Sequence, residues 1–239
     1  MWKLEHFKLG VGTSNAQIEE QIIYNYYLCD EKMDRYKAKS QMEVLRLKKT
    51  KGKTLETPYE DQIILEISYI PNFIVDGEHE IKYLRKNMTQ LALLEDVIAI
   101  NIGESIFNIN DLRQLKDKKY QIDFIELVSH KNTNKLAFDH KGNSIKETEI
   151  PKYHKLDEEA TKEILEQNLI IKTSISEKTI IENLKRALMK PAADNIRTIE
   201  EKITITVDII LRAIYKGSIK IFDKTKTMEI DSVSGESSP

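Results

Sequence analysis

The chain has one cysteine, five prolines and eight glycines in 239 residues, and no unbroken apolar run longer than four, as at Val97–Ile100. Each scarcity excludes something. A single thiol, Cys29, cannot close an intramolecular disulfide, which fits a reducing compartment. So few prolines and glycines exclude a collagenous or low-complexity chain, and 40% apolar content argues against global disorder. Without a run of about 18 apolar residues, no membrane-spanning helix is expected. Met1 to Lys8 carry charge where a signal peptide requires an apolar stretch, so the expected location is the cytoplasm. A net charge of −2 leaves no whole-molecule field to attract nucleic acid or anionic lipid, so such contact requires a local patch.

What is present is a lysine- and isoleucine-rich chain, long enough for one large domain or two small ones. Ser14-x-x-Gln17 matches a capping box, and Ile18, Ile22, Tyr26, Cys29, Met33 and Tyr36 recur at spacings of three and four. This pattern predicts an N-terminal helix extending to about Lys49, although Gln41 to Leu47 suits a strand equally. Alternation over Ile63–Ile70 predicts a strand stopped or kinked by Pro71, and residues 81–95 return to helical spacing. Val97 to Ile109 reads as two short strands about Gly103-Glu104, with Asn110 able to cap a short helix through Lys116. Residues 119–150 read as a three-stranded meander with turns at His130–Asn134 and His140–Asn143.

Asp157 is a good N-cap for a helix over 158–168, and Leu169–Thr173 suits a strand. Ser174-x-x-Glu177 matches a second capping box before another helix, which ends ahead of Pro191. From Ile203 to Tyr215 every odd residue is apolar, the signature of a long strand with one buried face. Gly217 allows a tight reversal near Lys216, after which Ile219, Ile221, Met228 and Ile230 return antiparallel, and Ser232–Pro239 reads as a frayed polar tail. The expected class is α+β, with mostly antiparallel sheet, an N-terminal helix and a C-terminal long-strand β-hairpin. A boundary near Pro151–Leu156 would separate residues 1–150 from 151–231, with 232–239 as the tail; one compact domain is the alternative.

Chemistry-bearing motifs are sparse. No P-loop, dinucleotide fingerprint or Gly-x-Ser-x-Gly is present. Gly10-Val11-Gly12 ahead of the first predicted helix is a weak anion-binding signal. Asp61 with Glu80-Ile81-Lys82 loosely resembles the Asp…Glu-x-Lys pattern of metal-dependent nucleases, in which two carboxylates converge on Mg²⁺ beside a lysine. The five histidines are scattered without zinc spacing, although His130 and His140 would flank a predicted hairpin. Cys29 falls in an apolar stripe, where it reads as a small hydrophobe.

The strongest feature is basic. Between Lys32 and Lys53 lie nine lysines and arginines against two acids, Asp34 and Glu43, a local excess of seven in a chain of net charge −2. Arg46, Lys48, Lys49, Lys51 and Lys53 are the candidate phosphate contacts, with Tyr36 and Tyr59 near enough to stack on bases. A long terminal strand carrying Ile210 and Ile214 on its more polar face would, at a sheet edge, call for a covering subunit. The expected function is therefore non-catalytic binding or assembly, by self-association or through a protein partner, with sequence-independent DNA or RNA contact through residues 32–53. A bacterial or phage accessory role, as in host–phage conflict, suits the composition. The alternative is a Mg²⁺-dependent nuclease using Asp61, Glu80 and Lys82; no other cofactor is expected.

Overall fold

A computed structural model describes residues 17–50, 63–93, 96–102, 105–115, 119–189, 195–221 and 224–238. Among them are three α-helices and a mostly antiparallel set of strands. In chain order the elements are β1 (Ile18–Cys29), α1 (Arg35–Thr50), β2 (Ile63–Ala92), β3 (Ala99–Ile102), β4 (Ser105–Asn108) and β5 (Arg113–Gln114). Then follow β6 (Lys119–Phe138), β7 (Tyr153–Lys155), α2 (Glu158–Glu166), α3 (Glu177–Leu188), β8 (Asn195–Ile221), β9 (Lys224–Asp231) and β10 (Ser237–Ser238). The main sheet runs β10-β9-β8-β2-β6-β5, with β1 pairing β7 and β8; β3 and β4 form a separate two-stranded sheet. No helix among the described residues is long and apolar enough to cross a membrane.

The α+β class agrees with expectation; the C-terminal hairpin is present but β8 runs on through Ile219 to Ile221 instead of reversing near Lys216, and the N-terminal helix begins later than the pattern implied. Ile18–Cys29 is a strand. Its Ile- and Tyr-rich side chains favour a pleated surface, and that preference prevails over the accidental spacing of three and four. Ser14 lies outside the described residues. The helix starts instead at Asp34, whose Oδ1 accepts the Lys37 amide at 2.8 Å, and it includes Gln41–Leu47. Asp157 caps α2 as expected, accepting the Ala160 amide. The cap of α3 is Ser176, accepting the Thr179 amide at 3.1 Å, two residues beyond the expected Ser174. Pro191 lies outside the described residues.

Three strands are far longer than the sequence pattern suggested. β2 passes through Pro71 and through residues 81–92, which had helical spacing, because continuous pairing with its neighbours outweighs a local pattern. The Tyr69 amide donates to Leu169 at 2.8 Å, and the Ile171 amide donates back to Tyr69 at 2.9 Å. This is an isolated parallel bridge where a full strand over 169–173 was expected. Pro71, two residues on, turns its nitrogen to that same sparsely paired edge, where no ladder donor is required. β6 runs straight through His130–Asn134 in place of a meander turn. Asn110 lies in a single 3-10 turn over Ile109–Asp111 rather than capping a helix. The tail is held as well: Ser237 and Ser238 pair with Ile230 and Glu229.

By contacts the chain divides into two compact units. The first comprises Met1–Glu20, Glu78–Asn132 and Met189–Ile203; the second comprises Gln21–Gly77, Thr133–Leu188 and Thr204–Pro239. The second unit holds most of the buried apolar side chains. One cluster joins Ala38 and Met42 of α1 to Ile63, Tyr215, Met228 and Ile230. Another joins Cys29, Ile74, Ala137, Ile150 and Ile210. The odd residues of β8 from Ile203 to Tyr215 are buried as expected, but Ile210 and Ile214 are buried too, at 0% and 7% exposure. β8 lies between β9 and β2, so it is not the sheet edge that would have required a covering subunit.

Two glycines mark where helices approach the strands. A Cβ at Gly77 would lie 2.6 Å from Leu188 Cδ1 and 2.7 Å from Leu184 Cδ2 of α3, and one at Gly217 would overlap the Met42 thioether of α1. Gly217 therefore sits within β8, paired to Met228, and is not the reversal point. In the first unit the buried residues include Tyr83, Leu84, Ile122, Ile203, His79 and Thr198.

Candidate interaction surfaces

The basic segment is helical as far as it is described. Ala38 and Met42 face the core, while Tyr36 stands 84% exposed rather than packed as the stripe reading placed it. Arg46 points inward: it is buried, its Nε donates to Glu43 Oε2 at 2.6 Å, and its Nη2 reaches the other carboxylate oxygen. Lys37 pairs with Asp34 at 3.5 Å. Lys48 is exposed, and Lys49 lies in the last turn of α1. Lys51, Lys53 and Tyr59 are outside the described residues, as are Gly10 and Gly12.

Of the nuclease constellation, Asp61 is outside the described residues. Glu80 and Lys82 stand two apart on one face of β2, each with another partner. Lys131 Nζ lies 2.5 Å from Glu78 and 3.2 Å from Glu80, and Lys82 Nζ lies 2.5 Å from Glu200. Farther along, Glu126 accepts from Arg85 Nε at 2.7 Å and from Asn87 at 2.8 Å. These form a cross-strand ion-pair ladder. The Lys131 hydrogen bond holds the Glu80 carboxyl below its usual value, and Arg85 does the same for Glu126.

Among the described residues no three His, Cys, Asp or Glu side chains converge as metal ligands would. His79 is buried with Nε2 3.0 Å from Glu201, and His154 Nδ1 is 3.0 Å from an exposed Asp30. His130 lies within β6, so the predicted turn joining it to His140 is absent. Cys29 is fully buried, and desolvation pushes its thiol up to about 11. A buried, protonated thiol is a poor nucleophile.

The least accounted-for surface is the β3–β4 hairpin. Its register pairs Ile100 with Phe107 and Ile102 with Ser105, and the Ile109 amide donates to the Ile98 carbonyl at 3.1 Å. Strand alternation therefore sets Ile98, Ile100, Ile102, Phe107 and Ile109 on one face. None of the five is buried; Ile98 is 85% exposed and Ile102 is 47%. Ile106, on the opposite face, is 73% exposed. No described residue between Val97 and Asn110 carries a charge. The two strands were expected from the sequence, but their shared apolar face was not; its signal is the period-two isoleucines at 98, 100 and 102.

No protein-family model matches this chain, no curated protein is similar to it in sequence, and no solved structure matches its fold.

Proposed function

We propose that this is a non-catalytic binding and assembly protein that acts by self-association. The observation carrying this reading is the unburied apolar face of the β3–β4 hairpin, which carries no charge among the described residues. A two-stranded hairpin is marginal by itself in water, and an exposed apolar strip beside unpaired strand edges is the kind of surface a second copy covers. Burying an isoleucine side chain contributes about 1.5–3 kcal/mol, so a handful per protomer suffices for micromolar association. An isologous arrangement lets the same strip serve both sides. Light scattering after size exclusion should give a mass above the 27.8 kDa protomer, and Ile98→Lys with Ile102→Lys should return it to 27.8 kDa. A monomeric wild type at about 100 μM overturns the reading.

A second reading, sequence-independent contact with DNA or RNA through α1 and the segment after it, is favoured by the exposure of Tyr36. An exposed ring beside Lys32 and Arg35 is available to stack on a base. Arg46, engaged with Glu43, is not part of that surface in this reading. The variant Lys48→Glu/Lys49→Glu/Lys51→Glu/Lys53→Glu should lose the binding that the wild type shows at about 50 mM salt; a wild type that binds neither nucleic acid at that salt ends this reading. The nuclease alternative has less support, since Glu80 and Lys82 are each held in ion pairs to other strands. The composition fits a bacterial or phage accessory protein of the cytoplasm.

A further inference from the structure

The second unit contains a cleft of about 540 Å³ bounded by β1, β2, β8 and the chain between α2 and α3. Its base is apolar and closed: Pro71 is buried, and Phe73 and Ile209 are 3% and 2% exposed. Leu165 and Ile171 line its sides and remain about two-fifths open to solvent, at 42% and 39%. The wall is built before any ligand arrives. Leu169 donates to Ile164 at 3.2 Å, Ile171 to Tyr69 at 2.9 Å and Ser174 to His140 at 3.0 Å, so residues 169–174 are fixed by backbone bonds at three points.

At the mouth stand Lys172 and Lys178. Both are exposed, and among the described residues neither has a carboxylate within ion-pairing distance, so their charge is open to a ligand. Glu177 also faces the cleft and raises the Tyr26 hydroxyl pKa together with burial, so the mouth holds two cations against one anion. An apolar base under a net positive mouth is complementary to a molecule that is apolar along its length and anionic at one end. The volume is that of an ordinary small-molecule site.

We propose that this cleft binds a small amphiphile of the fatty-carboxylate class, with the chain against the open sides of Leu165 and Ile171, over the closed base of Phe73 and Ile209, and the carboxylate beside Lys172 and Lys178. The chain supplies the affinity by leaving water, and the ammonium groups fix its direction. Apolar bulk and one anionic charge are the features recognised, so a neutral alcohol of equal length should bind more weakly and a bare carboxylate not at all.

The test is calorimetric titration of the full chain with decanoate below its micelle concentration, with decanol and acetate as comparators. Saturable binding of decanoate at one site is expected, with decanol weaker by about tenfold, the size of one lost charge-assisted contact. Lys172→Glu/Lys178→Glu should weaken decanoate by at least about tenfold and leave decanol unchanged. Leu165→Glu/Ile171→Glu, changes at half-open positions, should abolish binding of both, and circular dichroism should show every variant folded. Should the charge reversal unfold the chain, Lys172→Gln/Lys178→Gln replaces it with an expected loss of about threefold or more. No saturable binding, equal affinity in the lysine variants, or acetate binding as well as decanoate would each overturn the proposal. So would capture by phosphatidylglycerol vesicles without binding of monomeric decanoate, since that places recognition on a bilayer.

Discussion

The two units solve the burial problem differently. The second unit packs helices and strands around fully buried residues such as Leu184, Ile205, Ile210 and Leu211, closely enough that Gly77 has no room for a methyl group. Among the described residues, the first unit carries long strands with few buried side chains, ion pairs between strands, and a hairpin whose isoleucines face water. Buried apolar area stabilises far more than exposed ion pairs do, so stability should be concentrated in the second unit and accessible apolar surface in the first. A chain can thus separate the part that holds its shape from the part that leaves apolar surface open.

The sharpest way to break this comparison is to truncate one apolar side chain in each unit. Leu184→Ala should cost about 3–5 kcal/mol in urea denaturation, whereas Ile98→Ala should cost less than about 0.5 kcal/mol at concentrations where the protein is monomeric. Equal losses would refute the contrast. Gly77→Ala should cost about 1–3 kcal/mol, because the added methyl meets two leucine ends that are themselves fully packed.

Acid titration should distinguish individual carboxylates by sign. Partial removal from water raises Glu31 above its ordinary value of 4.5, more than the hydrogen bond from Tyr215 at 3.1 Å lowers it. The folded state therefore holds that proton longer than the unfolded one, and its contribution falls as pH rises from about 4.5 through the raised value. Glu31→Gln should be the more stable protein at pH 7, with the difference closing in acid. Glu80 and Glu126 in the first unit are shifted down, so their contributions are present above 4.5 and vanish as pH falls through the lowered values. Smallest of all should be Lys131→Met, whose change in urea midpoint should shrink further with added salt, since both its partners are solvent-exposed.

Much of the second unit was legible before any coordinates. The period-two run ending at Tyr215 is a strand, Asp157 caps α2, and Met228 and Ile230 return antiparallel along β9, although β8 first runs on to Ile221 rather than reversing near Lys216. What misled were stretches where a local pattern disagreed with pairing partners distant in sequence. Ile18–Cys29 and residues 81–92 both show helical spacing, yet both are strands, because spacing reports only which side chains could share a helical face. The basic run was also half legible: a count of charges does not reveal that Arg46 folds back onto Glu43 one turn earlier. The apolar face of the hairpin becomes visible only once register is known, because Ile98, Ile102 and Phe107 converge through pairing rather than adjacency.

Cys29, the lone sulfhydryl, sits at full depth in the second unit. With its ionisation pushed to about 11, it stays silent toward a disulfide reagent such as Ellman's at pH 8 for as long as the surrounding cluster is closed. Labelling then proceeds only through transient openings, and its pace counts them. The molecule thus carries its own clock for the rigid half, readable in unmodified protein, and a cysteine placed at Ile106 would supply the contrasting hand that moves at once.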